Sequence, residues 1–232
     1  MALVMDKQFR RTNQTVADFQ ARRTMMVDTQ VRPSDVTKFP IIDAMLSIPR
    51  EAFVPSSLRE AAYVGENLVL SPERVMLEPR TLAKMLDALD VQPHEVMLDL
   101  GCGLGYSAAV AARLADFVVA VESDADLADD AQTNLSDHGI DNAAVMVNPL
   151  EDGCAKSAPY DLMMIHGAVE VVPDSLLDQL KDGGRIAAIF ADGALGTVRI
   201  GIKAHGRVSW RYAFNAGAPI LGGFRKPKEF AL

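Results

Sequence analysis

The sequence has little that would point to a secreted, membrane-bound or nucleic-acid-binding protein. Only two of its 232 residues are cysteines, Cys102 and Cys154, which is too few for a disulfide framework or a zinc cluster. No run approaches the roughly 18 uninterrupted apolar residues of a membrane span, and the apolar start is too short for a signal-peptide core. Acidic residues outnumber basic ones by 31 to 23, and the net charge of -8 disfavours nucleic acid and anionic lipid. We therefore expect a cytoplasmic protein with reduced thiols and no nucleic-acid or membrane partner.

A hydrophobic fraction of 49% is enough for a large folded core, and the pattern of the chain changes near residue 95. Before that point, apolar residues at helical spacing alternate with prolines. The spacing predicts helices near 41–48, at 57–62 and from Pro79, a helix-compatible stretch at 8–30, and irregular chain over 64–78. We predict that residues 1–94 form a helical extension that packs on the core and covers the active site.

From residue 95 to 232, short apolar strands alternate with helices. This order predicts a doubly wound, mostly parallel α/β sheet with helices on both faces. The pattern predicts a helix that opens at Pro173 and stops at Gly183 and Gly184. Alternating runs on both sides of His205 and Gly206 predict a final antiparallel hairpin at the edge of the sheet.

The most informative segment is LDLGCGLGY, residues 98–106, between a predicted strand and a predicted helix. Glycines there let the backbone approach a ligand at the switch point of an open sheet. A dinucleotide fingerprint needs a glycine where this chain has Tyr106. An acid just before the loop repels a pyrophosphate but suits a ligand with a cationic amino-acid end, as in S-adenosylmethionine. We predict that this end is held by Asp99, Gly101, Cys102, Gly103 and Gly105.

A second carboxylate supports this interpretation. Glu122 ends the next predicted strand, 23 residues after Asp99, where it can accept hydrogen bonds from both ribose hydroxyls. We extend the predicted donor site to Ser123 beside it and to the segment that would flank adenine, Asn148, Pro149 and Leu150. No His, Cys or carboxylate cluster has metal-ligand spacing, so no metal is expected.

These features resemble the class I S-adenosylmethionine-dependent methyltransferases. The rest of the chain, over about residues 25–230, narrows the resemblance to the protein-L-isoaspartate O-methyltransferase family. Residues 44–55, AMLSIPREAFVP, are similar to the family's specific AM…VPR…FVP stretch, and Ala62-Tyr63 match its AY. The glycine loop resembles its LEIGTGSGY. Later similarities are APYD at 158–161, LKDGGR at 180–185 and PILGG at 219–223.

The resemblance implies a seven-stranded sheet that ends in an antiparallel pair, with S-adenosylmethionine as the methyl donor. It implies that the acceptor is the α-carboxylate of an L-isoaspartyl residue in a damaged protein. The methyl ester then leads to a succinimide and to repair.

The acceptor side departs from the family pattern. The family's TIS-x-PH segment aligns with residues 75–80, so Leu77 stands where the family has its active-site Ser or Thr, and Arg80 where it has His. Arg80 could clamp the acceptor carboxylate. His166, where the family has TAA, could contact donor or acceptor, or act as a base for a hydroxyl acceptor. Both are catalytic candidates, although a solvated Arg80 and a structural His166 would fit the sequence as well.

Two other functions therefore stay open beside isoaspartyl methylation. One is methyl transfer by the same fold to a different carboxylate or hydroxyl acceptor. The other is a non-catalytic protein that binds S-adenosylmethionine.

Overall fold

The computed structural model describes residues 18–191 and 195–226, so the part of the predicted 8–30 helix before residue 18 lies outside it. Within these residues the strands are β1 Leu68–Ser71, β2 Arg74–Met76, β3 Val96–Leu100, β4 Phe117–Glu122, β5 Ala143–Val147, β6 Tyr160–Val169, β7 Leu180–Phe190, β8 Thr197–Ala204 and β9 Arg207–Asn215. Seven of them form one sheet in the order β5-β4-β3-β6-β7-β8-β9. Strands β3 to β7 pair in parallel, and β8 and β9 are antiparallel, which confirms the predicted sheet.

Both faces of the sheet are buried, as expected of parallel strands covered by helices on either side. In β3, Met97 packs into one apolar cluster, whereas Leu98 and Leu100 pack into the cluster on the opposite face. The same alternation continues in β4, where Val118 and Val119 point to opposite clusters. This two-sided burial fixes the register, because a slip by one residue would exchange the two faces.

The helices cover these faces. Residues 18–26 form the described part of α1, which continues as a π-helical turn, Val27–Val31. The remaining helices are α2 Phe39–Ser47, α3 Pro79–Leu89, α4 Tyr106–Ala112, α5 Ala125–Asp137 and α6 Asp174–Leu177. Short 3-10 turns occur at Arg32–Ser34, Arg50–Phe53, Ser56–Ala61, Leu150–Asp152 and Ala155–Ser157. Within the described ranges, no helix is both long and apolar enough to cross a bilayer.

The amino-terminal helices share their apolar cluster with the sheet. Met26, Met45 and Leu86 are buried in the same cluster as the α4 alanines and β4. The Phe53 ring lies 5.9 Å from the Tyr106 ring, centroid to centroid, in an edge-on contact beside the glycine loop. The division of the chain at residue 95 stays a prediction.

Two local predictions are wrong. Residues 64–78 are not irregular throughout, because β1 and β2 pair there as an antiparallel hairpin around Pro72 and Glu73. The helix predicted from Pro173 ends at Leu177, and β7 begins at Leu180, before the two glycines. The buried Lys203 ammonium explains the early end of that helix, because it donates to the carbonyls of Leu177, Asp178 and Leu180 at 2.9, 3.2 and 2.8 Å.

Candidate active site

The glycine loop connects β3 to α4 at the carboxyl edge of the sheet. Gly101, Gly103 and Gly105 all have positive φ, +76°, +55° and +92°. Side chains rarely adopt this conformation, so the loop depends on glycine for its path. The Gly101 amide donates to the Val121 carbonyl at 2.8 Å, which draws the loop onto the end of β4. The predicted strand, loop and helix are therefore present, with the buried loop lying against the end of β4.

Glu122 lies against this loop at the end of β4 and is fully buried. Its carboxylate accepts the backbone amides of Gly103, Ser123 and Asp124 at 3.0, 2.7 and 3.2 Å. It also accepts the Arg74 Nε of the β1–β2 hairpin, at 2.9 and 3.1 Å from its two oxygens. Arg74, itself only 6% exposed, therefore neutralises the carboxylate that the sequence assigns to ribose binding.

Asp99 and His166 form a second buried polar pair beside the loop. The Asp99 carboxylate accepts the Ser107 hydroxyl at 2.6 Å and makes a short hydrogen bond with His166 Nε2. His166 lies in β6, next to β3 in the sheet, and is 4% exposed.

The space in front of the glycine loop is nearly filled. The inner cavity measures about 10 Å³, which is about the size of one water. Its walls are Leu70, Val75, Met76, Leu77, Leu82, Gly101, Cys102, Tyr106, Ser107 and His166. Most of the apolar wall comes from the β1–β2 hairpin and the segment after it. A Cβ built on Gly103 would lie 2.6 Å from Leu70 Cδ1, which shows how closely the hairpin covers the loop.

An outer cavity of about 380 Å³ opens on the other side of Arg74. It is lined by Glu73, Arg74, Ser123, Val147, Asn148, Pro149, Glu151 and Gly222. Three of the residues predicted for the donor site, Ser123, Asn148 and Pro149, are thus together at this outer cavity. Leu150 is 1% exposed and packs toward Gly101 instead.

Arg80 lies outside the inner cavity. Its guanidinium is 3.6 Å from the Glu78 carboxylate and 5.9 Å from the centre of the Phe214 ring, and its side chain is 42% exposed. The structure therefore brings His166 to the glycine loop and places Arg80 on the β9 side. A catalytic role for either residue stays a prediction.

Cys102 is buried within the loop. Burial raises the pKa of its thiol well above the ordinary value, and the neighbouring Asp99 and Glu122 carboxylates raise it further. A thiol in that environment stays protonated and inert. Across the described ranges, no group of three or more His, Cys, Asp or Glu side chains could hold a metal ion.

Sequence reasoning missed two arginines that shape this site. Arg74 holds Glu122, and fully buried Arg50 donates to the carbonyls of Ala62 and Leu77 at 2.7 and 2.8 Å. Burial lowers the pKa of Arg50. Two short apolar runs separated by Pro72 and Glu73 are a hairpin signal that could have located Arg74. The pairing of Arg74 with Glu122, 48 residues later in the chain, has no local signal in the sequence.

The sheet order, the positive-φ glycine loop and the buried carboxylate at the end of the second parallel strand define a class I methyltransferase fold. Solved structures agree. A protein-L-isoaspartate O-methyltransferase superposes with a TM-score of 0.76 at 24% identity, covering 87% of this chain and 66% of that one. A Plasmodium falciparum structure described as a protein-L-isoaspartate O-methyltransferase in complex with S-adenosyl-L-homocysteine gives 0.73 at 16% identity, covering 86% and 97%.

The particular family follows from the sequence comparisons. The family model described as protein-L-isoaspartate(D-aspartate) O-methyltransferase matches residues 21–197. Protein-L-isoaspartate O-methyltransferases of Syntrophus aciditrophicus and Herpetosiphon aurantiacus are 36% and 37% identical, over 72% and 75% of this chain and 77% and 78% of theirs. The chain belongs to this family, as the resemblance predicted. S-adenosylmethionine is the methyl donor of the family.

The residue types at the glycine loop fit a site for S-adenosylmethionine, but the free volume in front of the loop is small. The glycines and the buried Glu122 carboxylate are present. However, the inner cavity in front of the loop is only about 10 Å³, whereas the outer cavity beside Ser123, Asn148 and Pro149 is about 380 Å³. With the β1–β2 hairpin in this position, the space directly in front of the glycine loop is smaller than the roughly 300 Å³ at which ligand pockets commonly start.

Proposed function

We propose that this protein transfers the methyl group of S-adenosylmethionine to the free carboxylate of L-isoaspartyl residues in proteins. The family match over residues 21–197 carries the proposal, since it includes both the amino-terminal segment around Arg50 and the glycine loop. The relatives named above bear that activity in their names and are 36% and 37% identical.

The chemistry makes modest demands on the chain. The donor, when bound, supplies a methyl group already activated by a sulfonium. An isoaspartyl carboxylate is ionised at neutral pH, so the protein has to position it and exclude water rather than remove a proton. Leu77 suits the second task, because its side chain is buried and its carbonyl is held by Arg50 at 2.8 Å.

Methyl transfer to a hydroxyl group is the second candidate, and His166 is the observation that favours it. A hydroxyl acceptor must lose its proton, and His166 lines the inner cavity with Asp99 orienting its ring. Such a pair can act as a general base, whereas a carboxylate acceptor would leave it without that task.

The two acceptors are separated with tritiated donor and a matched pair of peptides that differ only in one isoaspartyl or aspartyl linkage. Isoaspartyl methylation predicts base-labile label on the isoaspartyl peptide alone, and His166→Asn retains most of it. Label that appears only on hydroxyl acceptors, and disappears in His166→Asn, supports the second candidate. Donor binding without transfer to either class contradicts both and leaves a non-catalytic binding protein.

A further inference from the structure

The β1–β2 hairpin packs directly against the glycine loop. Leu68, Val75 and Met76 are all less than 8% exposed, at 7%, 5% and 6%. Val75, Met76 and the partly buried Leu70 face the inner cavity. The hairpin is therefore packed against the loop through apolar side chains and is more than a surface turn.

Arg74 uses the acceptor capacity of Glu122. The two carboxylate oxygens already receive three backbone amides, and Arg74 Nε supplies the remaining contacts, while Arg74 Nη2 donates to the Ser123 hydroxyl at 2.7 Å. A ribose diol recognised by Glu122 would need the same oxygens that the guanidinium contacts. Arg74 and a nucleoside therefore compete for one carboxylate.

The position of Arg74 agrees with this competition. Arg74 lines the outer cavity of about 380 Å³, and the next two residues along β2 line the inner cavity of about 10 Å³. The ion pair thus lies between the open outer cavity and the nearly filled inner cavity.

The hairpin is attached in a way that allows it to move as a unit. Its base is fixed by Asn67, which donates to the Gly217 carbonyl and accepts the Glu78 amide, both at 2.8 Å. Its strands contain only four and three residues, and an isolated two-stranded ribbon of this size has little stability of its own. Arg74 is the charged contact that holds its far end to the loop.

We propose that the β1–β2 hairpin is a displaceable plug of the donor site, held by the Arg74–Glu122 ion pair, and that a ribose-bearing donor binds only when Arg74 leaves Glu122. This inference rests on the proposed function, because it takes the groove at the glycine loop to be a nucleoside site.

Calorimetric titration with S-adenosylhomocysteine tests the plug through Arg74→Gln. Removing the charge frees Glu122 while keeping a polar side chain, so affinity should rise at least about tenfold as the open fraction increases. Arg185→Gln is the matched control. Arg185 holds buried Glu95 through both oxygens at 2.8 Å, away from the loop, and its loss should leave the affinity unchanged. Equal or weaker binding by Arg74→Gln, or no binding by it, overturns the proposal.

Hydrogen exchange on the wild-type protein gives a test that needs no variant. Bound S-adenosylhomocysteine should speed amide exchange over residues 68–76 while slowing it over residues 101–105. Unchanged or slower exchange in the hairpin with the nucleoside bound contradicts displacement, even if Arg74→Gln fails to fold.

The two proposals fail in different ways. If Arg74→Gln binds S-adenosylhomocysteine more tightly but neither protein methylates the isoaspartyl peptide, the plug is supported and the proposed acceptor is wrong. If the wild type methylates that peptide and both arginine variants bind the nucleoside as it does, the plug alone is wrong.

Discussion

Two arginine–glutamate pairs, each with a buried glutamate, lie at opposite ends of the parallel strands of the sheet. Arg185 holds Glu95 just before β3 begins, and it also donates to the carbonyls of Leu89 and Asp90 at the end of α3, at 2.6 and 3.0 Å. Arg74 holds Glu122 just after β4 ends. The first pair joins a helix end to two strands. The second joins a small hairpin to a loop.

The difference shows that the same kind of ion pair can either stabilise the fold or compete with a ligand, depending on which end of the strands it occupies. Ligands of open α/β sheets bind at the carboxyl ends of the strands, so an ion pair there competes with ligand, and one at the opposite edge does not. Glu122 also keeps three backbone amide donors of its own, whereas among the described residues the Glu95 carboxylate accepts only the Gln92 amide, at 2.7 Å, besides Arg185. The Glu122 carboxylate therefore keeps more hydrogen-bond donors than Glu95 when its arginine is removed.

We expect Arg185→Ala to have the largest effect on the free energy of unfolding. Removing this arginine leaves Glu95 buried without its cation and the Leu89 carbonyl without its side-chain donor, whereas the Asp90 carbonyl still accepts Gln92 Nε2 at 2.8 Å. We expect a loss of about 3–5 kcal/mol in the free energy of unfolding, measured by urea denaturation. A smaller loss than that of Arg74→Ala would reverse the comparison.

Arg74→Ala should cost less, about 1–3 kcal/mol, because the three amides still stabilise the Glu122 carboxylate. The same urea titration measures it, and Arg74→Gln in parallel separates loss of charge from loss of side-chain packing. If both Arg74 variants lose as much stability as Arg185→Ala, Glu122 depends on its arginine as heavily as Glu95 does.

The alkylation rate of Cys102 distinguishes the Arg74–Glu122 pair from the Arg185–Glu95 pair. Its thiol is buried beneath the hairpin with a raised pKa, so it should resist alkylation at pH 8, while the half-buried Cys154 reacts. In a Cys154→Ser background, Arg74→Gln should speed modification of Cys102 about tenfold, a change worth about 1.4 kcal/mol. Mass spectrometry follows the modification, and Arg185→Gln is the control. Equal rates in the two variants would mean that Arg74 does not hold the hairpin closed.

The smallest effect is expected for His166→Asn on isoaspartyl methylation. A carboxylate acceptor needs no base, so kcat should fall by less than about tenfold, against the hundredfold or more expected when a general base is lost. Steady-state rates with the isoaspartyl peptide measure this. A drop of the larger size would make His166 a proton acceptor in the reaction.

The sequence predicted those parts of the molecule whose cause is local. Apolar runs located β3 and β4, the glycine pattern located the loop, and Gly101, Gly103 and Gly105 adopt the positive φ that glycine permits. The turn at His205 and Gly206 is also where the hairpin pattern put it. Periodicity was sufficient for these elements because each one is decided within a few residues.

What it missed depends on distant partners. The early end of α6 is set by Lys203, more than twenty residues later in the chain. Strands β1 and β2 are too short for a periodic signal, and they are stabilised by packing on the loop and by Glu122. The packing of the hairpin over the loop likewise arises from side chains that meet only in three dimensions, so the loop sequence alone did not indicate it.

The hydrogen bond from Asn67 to the Gly217 carbonyl has a consequence for the concentration of nucleoside that the protein needs. A hairpin anchored at its base and released at its tip can reclose after each departure, so a fixed share of molecules is competent at any moment. The apparent dissociation constant then equals the intrinsic one divided by that share, and a competent share of about one in a hundred raises it about a hundredfold. The guanidinium of Arg74 would in this way set how abundant the sulfonium nucleoside must be before the protein begins to work.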